Sequence, residues 1–351
     1  MKKHPEIHKI LTTPICPFRV DPNQNIDQIL KNMEHISFQG RNLARALDIW
    51  KQMLKGKVTI FLGLSGALIP AGFREIMVYL IKNRYIDCLV STGANLFHDL
   101  HECLGYYHFK GDPLANDVEL KDKGIDRIYD TFASEAEFRK TDDWVSDIFL
   151  FTLNQNKAYN TREFFYLMGK ELSKVSKKDG ILTSAYKAKV PIYCPAVADS
   201  SIGISIATYN RKFKKRFLFD VIADVNETAE IVLNSKATGV IYLGGGVPKN
   251  FIQQAQVTAS FILEDAELGH KYAIQITTDA PYWGGLSGCT FKEALSWGKI
   301  HKKSMRVMIY SDATIAFPFL VTALAKGAKS LTKKRKPPQF KLDKERLGFK
   351  S

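Results

Sequence analysis

The pattern of apolar and polar positions divides the chain into a helical start and a long alternating region. Two amphipathic stretches, NIDQILKNMEHI and RNLARALDIWKQMLK, follow the first two dozen residues. Beyond them, short apolar runs such as VTIFLGL and ATGVIYLGGG alternate with small-residue turns and helical segments. Strands that are apolar throughout are buried on both faces, and their regular alternation with helices is typical of a parallel sheet. The sequence therefore predicts an α/β fold with a mostly parallel sheet and helices on both faces.

The same pattern predicts the organisation of the chain. Residues 1–24, which are rich in proline, are expected to form an N-terminal arm, residues 25–326 a single domain, and residues 327–351 a basic tail. The chain carries a formal net charge of +14, and its last 26 residues contain ten Lys or Arg against two acids. Prolines interrupt this stretch, KKRKPPQFKLDKER, so we expect it to be solvated. Basic runs can bind nucleic acid or an acidic partner, but no recognition module accompanies this one, and nucleic-acid binding is not expected.

Small and polar residues follow six of the predicted strands. The carboxyl ends of parallel strands meet at one edge of a sheet, which is where ligands bind. Small residues let backbone N–H groups approach a phosphate, and the N-terminus of a following helix favours negative charge. Any one of these turns is typical of an ordinary connection, whereas six at one edge predict a nucleotide-sized ligand. The turns are residues 91–95, 199–201, 244–246, 277–279, 284–288 and 311–314.

The segment FKEALSWGKI contains candidate catalytic residues. If it is helical, Glu293 and Trp297 are four positions apart on one face, and Lys299 follows just beyond Gly298. The alternative is an ordinary helix end, because glycine is common there and lysine suits the helix dipole. These ten residues alone leave both interpretations open.

Two further groups of residues are weaker candidates for a functional site. In HDLHE, His98 and Glu102 would share a helical face, but the spacing is neither HExxH nor HxxEH and no third ligand is evident, so no metal site is predicted. Lys249 follows the triple glycine, residues 244–246, and could contact a phosphate. We expect this lysine to be exposed to solvent.

The segments IYLGGGVPKNFI, EALSWGKI and YSDATIAFPFLV resemble the deoxyhypusine synthase family. FLGLSGALIPAGFRE and VSTGANLFHDLHE are similar to its prokaryotic deoxyhypusine synthase-like branch, and the resemblance runs over residues 58–325. It implies a Rossmann-like, NAD-binding domain in a homotetramer with active sites between subunits. Members oxidise spermidine with NAD at a carbon beside nitrogen, capture the aminobutyl imine on a lysine, and pass it to an acceptor amine. The same NADH then reduces the product. The acceptor is a lysine of a translation factor in true deoxyhypusine synthases and a small diamine in relatives that form homospermidine.

The resemblance assigns roles to residues of this chain. Lys299 matches the imine-forming lysine, Trp297 the aromatic wall along the polyamine, and Glu293 the acid that holds an ammonium. A cation over an indole face gains about 0.5–2 kcal/mol. The residues that match turns holding the dinucleotide, or lie within them, are Thr92, Gly93, Asp199, Gly245, Thr278, Gly284, Ser287 and Asp312.

The amine half of the site departs from the family pattern. Ile204 and Leu286 stand where the family has acids, Asn250 stands in place of a histidine, and His98 stands in place of an acid. An unpaired ammonium in a closed pocket is costly, so we expect a donor other than spermidine bound in the usual way. Asn250 and His98 are the candidate substrate-binding residues at the altered positions.

These observations predict an NAD-dependent transferase that moves an alkylamine group between amines through a Lys299 imine. Two alternatives are an NAD-dependent amine dehydrogenase that releases NADH and a non-catalytic NAD-binding paralogue. The expected partners are small amines and other copies of the chain. No run reaches about 18 apolar residues, and the start has no apolar signal region, so no membrane association is expected. Five scattered cysteines without a CxxC pair are typical of a cytoplasmic protein with reduced thiols.

Overall fold

The computed structural model describes residues 11–264, 268–333 and 335–349. The strands are β1 (Thr59–Leu64), β2 (Cys88–Ser91), β3 (Phe109–Lys110), β4 (Ile125–Ile128), β5 (Thr131–Ser134), β6 (Ala158–Tyr159), β7 (Ile192–Tyr193), β8 (Leu218–Phe219), β9 (Thr238–Leu243), β10 (His270–Thr277), β11 (Ile300–Tyr310), β12 (Phe340–Lys341) and β13 (Gly348–Phe349). The α-helices are α1 (Ile26–Met33), α2 (Phe38–Lys55), α3 (Arg74–Lys82), α4 (Gly93–Cys103), α5 (Asp117–Asp122), α6 (Glu135–Asp143), α7 (Thr161–Val175), α8 (Ile181–Ala188), α9 (Ser201–Phe213), α10 (Val221–Leu233), α11 (Gly246–Leu263) and α12 (Ala313–Thr332).

A six-stranded parallel sheet with the order β11-β10-β9-β1-β2-β7 forms the centre of the molecule. Every residue of β1 and β9 is buried. Alternate residues of β1 point to opposite faces: Ile60 and Leu62 join a core with α2 and α12, and Phe61 joins a second core with α10 and α11. The predicted parallel sheet with helices on both faces is confirmed.

The N-terminal part begins with exposed chain and continues into two helices on one face of the sheet. Residues 11–23 are exposed, and residues 1–10 of the predicted arm lie outside the described residues. Asn25 and Gln28 form a reciprocal capping box at the start of α1. In α2, the ring of Trp50 stacks on Phe317 of α12, with 5.9 Å between ring centroids. The helical start of the domain is therefore part of its main core.

The prediction of a solvated C-terminal tail is wrong for residues 335–349. Helix α12 continues past residue 326 to Thr332, and Phe340 and Leu342 are 0% and 1% exposed. Arg162 donates to the carbonyl oxygens of Leu342 and Lys344, each at 2.9 Å, and Arg335 pairs with the buried Asp87. Alternation places Phe340 and Leu342 inward while the lysine between them faces solvent, so the high charge of the segment concealed its apolar face.

Residues 105–143 add a small antiparallel sheet, in the order β3-β5-β4, beside the main one. Among the helices of the described ranges, none combines the length and apolar character needed to cross a membrane.

Candidate active site

The turns after β1 and β2 meet the turn before α9 at the carboxyl edge of the sheet. Thr92 caps α4, and its hydroxyl donates to the Gly66 carbonyl at 2.7 Å. A Cβ on Gly93 would lie 2.3 Å from the hydroxyl oxygen of Ser200, so only glycine permits this approach. Asp199, next to Ser200, is exposed. The structure therefore brings Thr92, Gly93 and Asp199 into one part of the edge.

A second close approach joins the triple glycine to the loop after β10. A Cβ on Gly245 would lie 2.3 Å from the Cα of Ser287. The backbone N–H of Gly246 donates to the Ser287 hydroxyl oxygen at 3.0 Å, and the Ser65 hydroxyl donates to the Gly245 carbonyl. Gly245 and Ser287 thus lie in contact at the carboxyl edge of the sheet.

The remaining predicted dinucleotide residues are exposed along the same edge. Thr278 directly follows β10, and Gly284, with φ of 73°, ends the 3₁₀ turn Pro281–Trp283. Asp312 caps α12 by accepting from the Thr314 N–H at 2.6 Å. The edge therefore presents the N-termini of α4, α11 and α12 together with two exposed carboxylates, Asp199 and Asp312. This donor and acceptor set fits the phosphates and ribose hydroxyls of a dinucleotide.

The predicted helix through Glu293 and Trp297 is wrong. Residues Glu293–Leu295 form one 3₁₀ turn, and Gly298 has φ of 67°, a left-handed conformation that stops a helix. The Lys299 N–H donates to the Ala294 carbonyl at 3.2 Å, which closes the turn. Glu293 and Trp297 are exposed, with Trp297 64% accessible.

Lys299 lies half-buried between an amide and an aromatic ring. Its Nζ donates to Asn250 Oδ1 at 2.9 Å and is 5.2 Å from the centroid of the Trp297 ring. Asn250 lies in the second turn of α11, which begins at the triple glycine. The structure therefore brings together Lys299, Trp297 and Asn250, three of the predicted catalytic and substrate-binding residues.

The expectation of an exposed Lys249 is wrong: this side chain is 1% exposed. Its Nζ donates to Gln275 Oε1 at 2.9 Å and to the Cys289 carbonyl at 2.6 Å. Burial lowers the pKa of Lys249 to about 8, and the charge of Lys299 acts in the same direction. Lys249 precedes the buried Ile252 and Gln253 by three and four positions, a helical spacing that could have placed it on the inward face.

His98 lies in a separate cluster of rings. Its Nδ1 is 2.9 Å from His108 Nε2, and His108 Nδ1 is 2.9 Å from Glu102 Oε1. Burial, followed by the charges of His108 and His101, lowers the pKa of His98 to about 3, so its ring is neutral. Sequence reasoning missed His108, which lies outside any motif. Within the described ranges, no group of three or more His, Cys, Asp or Glu is arranged to hold a metal ion.

Asp99, the central acid of HDLHE, accepts hydrogen bonds from the start of α8. It is fully buried and accepts from the backbone N–H groups of Ile181 and Leu182 at 2.7 and 3.0 Å, which caps α8. Burial raises its pKa to about 6, against the opposing effects of these hydrogen bonds and of Arg74. This acid therefore stabilises the packing of α4 on α8.

Comparison with known proteins identifies the family. The sequence family described as deoxyhypusine synthase matches residues 28–324. The chain belongs to the deoxyhypusine synthase family. It is 48% identical over 339 residues to "Probable deoxyhypusine synthase 2" of Methanosarcina mazei, covering 96% of each chain. It is 51% identical over 293 residues to the protein of that name from Archaeoglobus fulgidus, covering 83% of this chain and 95% of the relative.

A solved structure supports the fold. The crystal structure of an Entamoeba histolytica protein provisionally named deoxyhypusine synthase superposes with a TM-score of 0.61 at 19% identity, covering 88% of this chain and 96% of that one. The Rossmann-like α/β fold expected from the deoxyhypusine synthase resemblance is confirmed. Membership of the family indicates a transferase and implies NAD-dependent aminobutyl transfer.

Proposed function

We propose that this protein is an NAD-dependent transferase of the deoxyhypusine synthase type. It moves an aminobutyl-like group from a polyamine-type donor to an amine acceptor through an imine at Lys299. The observation that carries the proposal is the setting of Lys299: half-buried, held by the uncharged Asn250 amide, and next to the Trp297 ring. A lysine nucleophile must react as a neutral amine, and an uncharged partner does not hold it as an ammonium as a carboxylate would.

The reaction balances with no net oxidation. NAD⁺ bound at the carboxyl edge of the sheet would supply the redox chemistry, as acceptor of a hydride from the donor carbon beside nitrogen and its source at the end. Loss of that hydride and a proton leaves a C=N bond in the donor. The Lys299 amine adds to its carbon, and the donor's other amine fragment leaves, so the imine is transferred to Lys299. The acceptor amine displaces Lys299 in the same way, and the returned hydride converts the new C=N bond to an amine.

The residues of the amine pocket have distinct proposed roles. The Trp297 indole offers its face to a cationic alkyl chain, and the exposed Glu293 carboxylate binds an ammonium. Asn250 holds the Lys299 amine where the family has a histidine, and this uncharged amide cannot supply a proton. The altered positions favour a donor that is shorter or less charged than spermidine.

The proposed dinucleotide site uses the carboxyl edge of the sheet. Thr92, Gly93, Gly245 and Ser287 shape the turns that approach the phosphates. Asp199 and Asp312 accept hydrogen bonds from ribose hydroxyls. Thr278 and Gly284 line the path from this edge toward the turn that carries Lys299.

We propose that the chain acts as a homotetramer with sites between subunits. Three large rings in the segment between β10 and β11, which carries Lys299, are exposed: Tyr282 by 76%, Trp283 by 69% and Trp297 by 64%. Exposed apolar clusters of this kind mark interaction surfaces. His98 is 8% exposed in a different ring cluster of its own chain, so we propose a substrate contact by His98 only in a site completed by a neighbouring copy. The particle mass from light scattering tests this assembly.

Chemical trapping tests the proposed role of Lys299. The protein is incubated with NAD⁺ and a panel of di- and polyamines, including agmatine, then treated with borohydride, and the adduct is mapped by peptide mass spectrometry. The expected result is one alkylamine adduct on Lys299, absent from Lys299→Arg. Lys292→Arg, at an exposed neighbouring lysine, is the matched control and keeps the adduct. An adduct that persists in Lys299→Arg contradicts the assignment.

The same reaction mixture distinguishes transfer from net oxidation. In the transferase, NADH is consumed again, so its absorbance stays low once an acceptor amine is present. An amine dehydrogenase would accumulate NADH without any acceptor; this alternative is tested because Ile204 replaces an acid of the family and Asn250 replaces a histidine.

A further inference from the structure

Two buried side chains hold the loop that leads from the sheet edge to the Lys299 turn. We call residues 284–290 the glycine loop. Lys249 donates to the Cys289 carbonyl, and Gln275 Nε2 donates to the Ser287 carbonyl at 2.8 Å and to the Gly244 carbonyl at 2.9 Å. Lys249 and Gln275 also bond each other through Gln275 Oε1. We call this pair the clasp.

Both members of the clasp are buried and hydrogen-bonded. Gln275 is 0% exposed and Lys249 is 1% exposed. The amide of Gln275 uses its oxygen for Lys249 and its nitrogen for one carbonyl of the glycine loop and one of the triple glycine. Buried donors and acceptors that lose their partners cost free energy, so removing either member leaves carbonyls of the glycine loop or the triple glycine unpaired.

The glycine loop has little apolar anchoring of its own. Gly284, Gly285 and Leu286 are exposed, and a Cβ on Gly284 would meet no heavy atom within 4 Å. The contact of Ser287 with Gly245 is close, but glycine supplies no side chain to hold it. Besides the backbone N–H that binds the Ser287 hydroxyl, the loop is held to the sheet by the carbonyls that the clasp binds.

The contacts of Lys249 argue against a second nucleophile. Its ammonium is enclosed, two of its donors are used, and the ring of Phe291 lies 5.9 Å away. The titratable groups that act on it are Cys289, Glu293, Lys299 and Asp279, so it lies at the junction of the sheet edge and the Lys299 turn. Lys299, by contrast, is half-exposed, and its Nζ donates to Asn250 as its hydrogen-bond partner among the described residues.

We propose that Lys249 is a positioning residue that fixes the glycine loop, and through it Ser287 of the dinucleotide site and the turn that carries Lys299. From Cys289 the chain is held by local hydrogen bonds: the Glu293 N–H donates to the Thr290 hydroxyl, and the Ala294 N–H donates to the Thr290 carbonyl. A shift of the Cys289 carbonyl would therefore move the start of this turn. The consequence for NAD rests on the proposed function, and the effect on the loop does not.

The test compares Lys249→Met with Lys292→Met, a control at an exposed lysine. Hydrogen exchange without any ligand is measured on peptides covering residues 284–292, and NAD⁺ affinity is measured by calorimetry. In Lys249→Met we expect at least tenfold faster exchange in the glycine loop, unchanged exchange in β1 and β9, and at least tenfold weaker NAD⁺ binding. Lys292→Met should match the wild type. Loop exchange within twofold of the wild type in Lys249→Met overturns the proposal.

Two further outcomes keep the proposals separate. If the wild type binds no NAD⁺ but the loop still loosens in Lys249→Met, the proposed function fails and the clasp stands. If Lys249→Met does not fold, Gln275→Glu takes its place, because it keeps an acceptor for Lys249 and removes the donors to the Ser287 and Gly244 carbonyls. Faster exchange at residues 285–288 in Gln275→Glu supports the clasp, and unchanged exchange rejects it.

Discussion

At the scale of single residues, the surroundings of two lysines distinguish their roles, which the sequence alone does not. Lys249 precedes Asn250 in α11 and Lys299 donates to the Asn250 amide, but Lys249 is enclosed by carbonyl and amide oxygens and Lys299 is half-exposed beside an indole. An enclosed ammonium with fixed partners holds structure in place, whereas a partly accessible amine can react. The chemistry is therefore assigned to Lys299 and the positioning to Lys249.

The close approach at Gly245 gives a prediction at this scale. In Gly245→Ala the new methyl group would overlap the backbone at Ser287, which cannot move as a side-chain tip can. We expect the free energy of unfolding to fall by about 1–3 kcal/mol, measured by urea denaturation. Gly327→Ala is the control: it lies inside α12 with no atom within 4 Å of the new Cβ, so it should raise stability by about 0.5–1 kcal/mol. Equal losses in both variants would contradict the argument.

At the scale of elements, the sequence predicted the strands whose pattern is uniformly apolar. VTIFLGL is apolar throughout, and β1 is indeed buried along its whole length. The Lys299 turn could not be predicted, because EALSWGK has helical spacing although its residues form only one 3₁₀ turn before the left-handed Gly298. The packed C-terminal segment was concealed by its charge, and the inward direction of Lys249 depends on Gln275, a partner 26 residues away.

The C-terminal segment gives a prediction for an element. Phe340 is fully buried against Phe349, with 5.7 Å between ring centroids, and both belong to the small β12–β13 pair. Phe340→Ala would leave a cavity beneath the segment and should lower the free energy of unfolding by about 3–5 kcal/mol in chemical denaturation. Lys341→Ala, next to it and exposed, should change stability by no more than about 0.5 kcal/mol. A solvated tail would show no difference between the two variants.

At the scale of the whole molecule, buried neutral histidines make stability depend on pH. Burial lowers the pKa of His98 to about 3 and that of His101 to about 4, below the ordinary 6.5 expected for the unfolded chain. The unfolded state therefore binds more protons below pH 6.5, and the stability contributed by these neutral rings is lost as pH falls toward their folded pKa values. Asp99 and Asp224 act in the opposite direction, because burial raises their pKa values to about 6 and about 7.

Comparison of variants isolates the histidine contribution from these opposing acids. Between pH 7.5 and 5.0, the wild type should lose about 2–4 kcal/mol more stability than His98→Gln/His101→Gln, because each neutral ring contributes about 2 kcal/mol over this interval. Urea denaturation at the two pH values measures both proteins, and the carboxyl effects, present in each, largely cancel. His35→Gln, at an exposed position, should follow the wild type. The same pH-dependent loss in the double variant and the wild type would show that other groups control acid stability.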